Sequence, residues 1–166
     1  MKRQCLWSLL LLLLAVLTGC AFLSQDSVRF YYPRIEIAYE GDTGVIVGEA
    51  RPAGGHTGDL QYLLSLYLSG PADGELRSPF PPGVRLESCR VADGQAEVLL
   101  SPSLDGLTPL ERAIACACLA RTVLELTQAD SVRIATTQGL LSGENAAIYD
   151  RNSVLLEDDV LLSPVT

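Results

Sequence analysis

Few side chains in this sequence are able to make or break bonds. His56 is the single histidine, so any Ser-His or Cys-His nucleophile pair has to use it. It stands in "AGGHTGD" (residues 53–59), a glycine-rich stretch that suits a solvent-facing turn or a helix entry. Lys2 is the only lysine; once the N-terminal segment is cut away, Ser-Lys and Schiff-base chemistry have no amine to use. Glu157, Asp158 and Asp159 form one dense group of carboxylates. Their spacing matches no calcium loop and reads as a solvated charge run. No zinc spacing, phosphate loop or G-x-S-x-G elbow is present, and nothing marks a facing carboxylate pair of the kind glycoside hydrolysis needs. The residues lean away from an enzyme: no catalytic residue, metal site or cofactor is expected.

Cys20 is the thiol with a clear chemical prospect. Lys2 and Arg3 open the chain, and Cys5 to Leu17, apolar except for Ser8, follow. That order of basic start and apolar stretch is the pattern of a secretory signal. The stretch is 13 residues long, short of the roughly 20 a spanning helix needs. It ends in Leu17-Thr18-Gly19-Cys20, which resembles the lipobox of bacterial lipoproteins. Thr18 and Gly19 are small enough for an extended chain to enter a signal peptidase. The Cys20 thiol can then take a diacylglyceryl group and become the new N-terminus. An uncleaved signal-anchor, extended by Ala21-Phe22-Leu23, is the rival reading. We expect residues 1–19 to be a signal peptide and 20–27 a short tether carrying lipidated Cys20.

Removal of that leader leaves 147 residues, enough for one domain with a real core. It takes away two cations and no acid, so the formal charge of −8 becomes −10. A surface this acidic repels nucleic-acid phosphates and anionic headgroups alike; no nucleic-acid partner is expected, and the lipid has to supply the membrane hold. Ala21 to Ser27 reach at most about 25 Å when extended, which puts the domain near the bilayer on its extracytoplasmic face. Cys89, Cys116 and Cys118 remain, an odd number, and they read as small apolar fillers. Cys116 and Cys118 lie two apart on a predicted helix and point away from each other. A Cys89–Cys116 bridge stays open.

The elements that would position these residues can be read in order. Val28–Tyr32, Ile35–Tyr39 and Val45–Ala50 read as strands. Leu60, Leu63, Leu64, Tyr67 and Leu68 recur at helical spacing, with Asp59 or Thr57 as cap and Gly70-Pro71 as stop. The proline-rich "PADGELRSPFPPG" (residues 71–83) reads as a rigid crossover that tucks Leu76 and Phe80 under the sheet. Val84–Ala92 and Gln95–Ser101 flank Asp93-Gly94, the strongest short hairpin signal. That turn pairs Cys89 with Val98 and Val91 with Ala96, with a bulge near Ser88. Thr108-Pro109-Leu110-Glu111 opens a second helix with a capping box and a first-turn proline. Its buried face is expected to hold Ala113, Cys116, Ala117, Ala120, Val123 and Leu124, with Cys118 and Thr122 opposite. Ser131–Thr136 is a further strand, and 138–166 an extension that is partly loose. The order β-β-β-α-β-β-α-β gives an α+β, two-layer domain: one mixed sheet of five to six strands with two helices on one face.

Several stretches resemble one family when taken together. They are "FYYPR" (30–34), "GVIVGEAR" (44–51), "DLQYLLSLYLSGP" (59–71), "LRSPFPPG" (76–83), the Asp93-Gly94 hairpin and "LERAIACACLARTVLELTQADSVRI" (110–134). In this order, behind a lipobox, they are similar to the GerMN domain of sporulation and germination lipoproteins over residues 28–137. The resemblance implies a small domain like the ring-building motifs, assembling with envelope proteins of spore-forming bacteria in a non-catalytic role. The best-known relatives carry two such domains where this chain has one, which suits a monomer or a weak homo-oligomer bound to one partner.

Three functions follow as expectations. The first is a lipid-anchored interaction domain, with the cell membrane and an envelope protein as partners. The second is a small-ligand sensor, in which Arg34, Arg51, Arg85 and His56 would be the partner or anion contacts. The third is an acid-based envelope hydrolase, the weakest of them.

Overall fold

The computed structural model describes residues 26–35, 45–102, 104, 106–140, 147–151 and 153. The leader, the Leu17–Cys20 box, the expected strand beyond Ile35 and the acidic run at 157–159 lie outside them.

Among the described residues the elements follow one another as β1 (Ser27–Pro33), β2 (Ile46–Pro52), α1 (Leu60–Leu68), β3 (Leu86–Ala92), β4 (Gln95–Leu100), α2 (Pro109–Thr127), β5 (Ser131–Thr136), β6 (Gly139–Leu140) and β7 (Ala147–Asp150). The fold is α+β. In the larger, mixed sheet β3 pairs antiparallel with β4, β4 pairs parallel with β5 across the α2 crossover, and β6 and β7 both pair antiparallel with β5.

The β3–β4 hairpin follows its sequence signals closely. Asp93 and Gly94 both take positive φ, 51° and 76°, the conformation of a type I′ turn whose twist matches the flanking strands. Cys89 sits opposite Val98 and Val91 opposite Ala96, and the register slips between Leu86 and Ser88. Both helix starts are capped as their sequences indicate. Asp59 accepts from the Tyr62 N–H, while Thr108 and Glu111 close a reciprocal box. Gly70 has φ 97° and ends α1.

One expectation is corrected: the strands do not form a single sheet. β1 and β2 make a separate antiparallel ribbon, and the cause lies at the free edge of β1. The Tyr31 N–H donates to Thr122 Oγ1 of α2 at 2.9 Å, and the Tyr67 hydroxyl of α1 donates to the Tyr31 carbonyl at 3.2 Å. Helix side chains thus take the main-chain groups that another strand would need.

The same packing corrects the expected face of α2. Ala113 is exposed, whereas Cys118 and Thr122 are fully buried along with Ala115, Cys116, Leu119, Ala120, Val123 and Leu124. At 100° per residue this arc covers roughly two-thirds of the helix. A helix touched by β1 as well as by β4, β5 and β7 has more than one face to bury. Small residues (Ala115, Ala120, Cys116, Cys118) let these layers approach closely.

The core centres on aromatic rings. Tyr67 stacks on Tyr32 at 4.9 Å and meets Phe30 and Phe80 edge-on at 5.8 and 6.4 Å, spacings favoured by the ring quadrupoles. Phe80 and Leu76 reach this core from the proline-rich segment, as a rigid crossover requires.

Candidate functional site

The potential nucleophiles are built into the interior rather than presented. Cys116 and Cys118 are buried, Cys89 is partly so, and all three thiols are free. Burial pushes each of them up from the ordinary value of 9.0, and Asp59 adds to this at Cys89. They are therefore protonated near neutrality and poor nucleophiles. The Tyr67 hydroxyl is fully buried and is likewise held neutral by desolvation. Its hydrogen bond to Tyr31 gives it a structural task.

His56 lies in the exposed turn after β2. Its ring stacks on Tyr62 at 4.1 Å, and its Nδ1 is 4.0 Å from Asp59 Oδ2. The turn is laced to the start of β1: the Ala53 N–H donates to the Asp26 carbonyl at 2.7 Å, and the Gly55 N–H to an Asp26 carboxylate oxygen. Among the described residues no group of His, Cys, Asp and Glu could hold a metal.

The four residues read as possible partner or ligand contacts each meet their own set of neighbours. Arg51 is consumed internally: its Nη1 meets Glu49 Oε2 at 3.4 Å and donates to the Gly70 carbonyl at 3.2 Å. The same Glu49 side chain accepts from the Ala72 and Asp73 N–H groups at 2.9 and 2.7 Å, tying β2 to the loop after α1. Arg34 bridges to Leu76 and lies 3.9 Å from Glu75. Arg85 enters β3, with its N–H donating to Ser101 Oγ. His56 faces outward beside the chain entry. Each answers to a different neighbour.

Other described residues form concavities. On the outer face of the large sheet, Arg90, Glu97 and Arg133 form a cross-strand ion row beside a hollow of about 370 Å³. A second, of about 300 Å³, joins the start of β1 to the last turn of α2 through Arg29, Glu125 and Leu126. A third, of about 280 Å³, lies where the proline-rich segment meets the first turn of α2. Pro33, Pro79, Phe80, Pro81, Leu107 and Ile114 give it apolar walls, with Arg77 and Glu111 as its charges. Glu111 accepts from the Thr108 N–H and hydroxyl, each at 2.8 Å. The main-chain bond, then the hydroxyl, then Arg77 hold its carboxyl below the usual 4.5.

The sequence favours a rigid crossover over a binding loop for the proline-rich segment, and it does not single out Arg77, Leu110 or Ile114. At 100° per residue Leu110 points away from the buried arc of α2, and it is exposed.

The family "Germane: Sporulation and spore germination" matches residues 26–136, two-thirds of the chain. The chain belongs to this family. Among solved structures, the fold is similar to the tandem GerMN domains of the sporulation protein GerM from Bacillus subtilis. That overlay has a TM-score of 0.54 and 14% identity, covering 78% of this chain and 46% of that one. The Germane chain thus spans about half the length of the tandem structure. A provisionally assigned lipoprotein from Clostridium perfringens overlays more loosely, at a TM-score of 0.45 and 17% identity over 78% of this chain and 93% of that one. No curated protein matches the sequence. No helix among the described residues is long and apolar enough to cross a membrane.

Proposed function

We propose that this Germane protein is a lipoprotein held at the extracytoplasmic face of the cell membrane through Cys20. Its single GerMN-type domain acts there by surface contact in sporulation or germination complexes. The observation that carries this reading is the family match over 26–136 starting directly behind Leu17-Thr18-Gly19-Cys20. Lipidation needs those residues and a short tether, and both are at hand. A non-catalytic role is supported by the chemistry of the interior: buried thiols held protonated, and one histidine stacked on Tyr62 in an open turn.

The test is a comparison of Cys20→Ala, His56→Ala and a deletion strain in the native host. Cys20→Ala is expected to leave the membrane fraction and to lower spore yield or germination as the deletion does. His56→Ala is expected to behave as wild type. Full function from a soluble Cys20→Ala protein would end the tether; a dead His56→Ala protein that folds normally would end the non-catalytic reading.

A further inference from the structure

Two of the most exposed large apolar residues among those described are Leu110 and Ile35. Leu110, in the first turn of α2, is 71% exposed, and Ile35, just past β1, is 56% exposed. Neither lines the 280 Å³ cavity itself, but each is a near neighbour in sequence of a lining residue: Leu110 precedes Glu111, and Ile35 follows Pro33 by two residues. That volume lies at the lower limit of the roughly 300–1,000 Å³ of pockets that enclose small ligands, a size that also admits one bulky side chain. Pro33, Pro79 and Pro81 fix φ along its walls, so little conformational entropy remains to be lost on binding. At the rim Glu111 accepts from Thr108 and also feels Arg77, and the Arg77 guanidinium is the one positive charge among the lining residues.

The direction of the cavity follows from where the chain enters. Asp26 is bonded to Ala53 and Gly55, and the start of β1 lies beside Glu125 and Leu126 in the last turn of α2. The cavity is at the other end of the same helix, whose 19 residues measure about 28 Å. A tether of at most about 25 Å attached at the first end turns the cavity away from the bilayer.

We propose that this end is the docking surface for a protein partner that inserts one aliphatic or aromatic side chain into the cavity and sets a carboxylate against Arg77. The outward direction rests on the tethered reading above; the docking surface itself does not. An apolar anchor in a rigid pocket with one complementary charge at its edge is the usual composition of an interface hot spot.

The test uses the full chain in its native host with a photoreactive benzoylphenylalanine at Leu110. The control carries it at Val91, on the β3–β4 hairpin. Melting midpoints equal to wild type establish that the variants fold. The expected result is a discrete adduct from Leu110 and none from Val91, with the captured peptide carrying an acidic residue next to the apolar one. Arg77→Glu is expected to lower its yield about fivefold or more, and Arg90→Glu to leave it unchanged. A membrane-held protein that gives no Leu110 adduct overturns the proposal. So do equal yields from both positions, indifference to Arg77→Glu, or a captured peptide from residues 154–166 or from a second copy of the chain. An adduct that persists in a protein found outside the membrane fraction overturns the tether and the outward direction while leaving the docking surface standing.

Discussion

Thr122 shows how much one hydroxyl can organise. It is fully buried on a helix and accepts the Tyr31 N–H at 2.9 Å. Replacement by valine keeps the shape and strands a buried donor, which costs about 1–3 kcal/mol. Urea unfolding of Thr122→Val is expected to show that loss, and an unchanged midpoint would remove the edge-capping account of the separate β1–β2 ribbon. The neutral side chains around it set the pH response. Burial raises Cys118 above its ordinary 9.0 and Tyr67 above its ordinary 10.0, so the folded chain holds these protons more tightly than the unfolded one. The stability linked to them is complete below the ordinary values and is lost as pH climbs through them towards the elevated folded ones. The denaturation midpoint should therefore fall between about pH 8 and about pH 11, and a rise over that interval would contradict it.

At the level of elements, local signals were read well and partnerships were not. The hairpin register, the Ser88 bulge, the capping box and the α1 stop were legible because each depends on a few neighbouring residues. Gly94 illustrates the precision required. It needs φ 76°, and an added Cβ would lie 2.7 Å from an Asp130 carboxylate oxygen. Gly94→Ala is expected to destabilise by about 1–2 kcal/mol through the left-handed backbone alone, measured by thermal melting; no change would mean that the turn relaxes. By contrast, the split into two sheets depends on Tyr31 meeting Thr122 across 91 positions, and no periodicity reports that. Burial of α2 over two-thirds of its circumference was hidden for the same reason. The separate neighbours of Arg34, Arg51, Arg85 and His56 were hidden too, since charge in a sequence carries no direction. Glu49 also acts between elements, gripping Ala72 and Asp73. Glu49→Ala is expected to speed proteolytic cleavage near residues 70–75, read by peptide mapping, with the melting midpoint little changed because those N–H groups can turn to water.

The whole molecule joins a compact α+β domain of the Germane family to an N-terminal segment that reads as a lipid address. With the proposed cleavage its formal charge would be −10, and the domain would have no electrostatic reason to rest on an anionic bilayer. Its hold on the membrane should therefore resist high salt and yield to detergent, and release by salt alone would point to a charged contact instead. The lipobox resemblance is a linear pattern that needs no fold to be read. The proline-walled cavity needed a fold to bring residues 33, 77–81 and 107–114 together. The most direct measurement is mass spectrometry of the N-terminal peptide from the native protein. The account predicts a chain beginning at Cys20 with a diacylglyceryl thioether on its sulfur; a chain beginning at Met1 with an unmodified Cys20 thiol would contradict it.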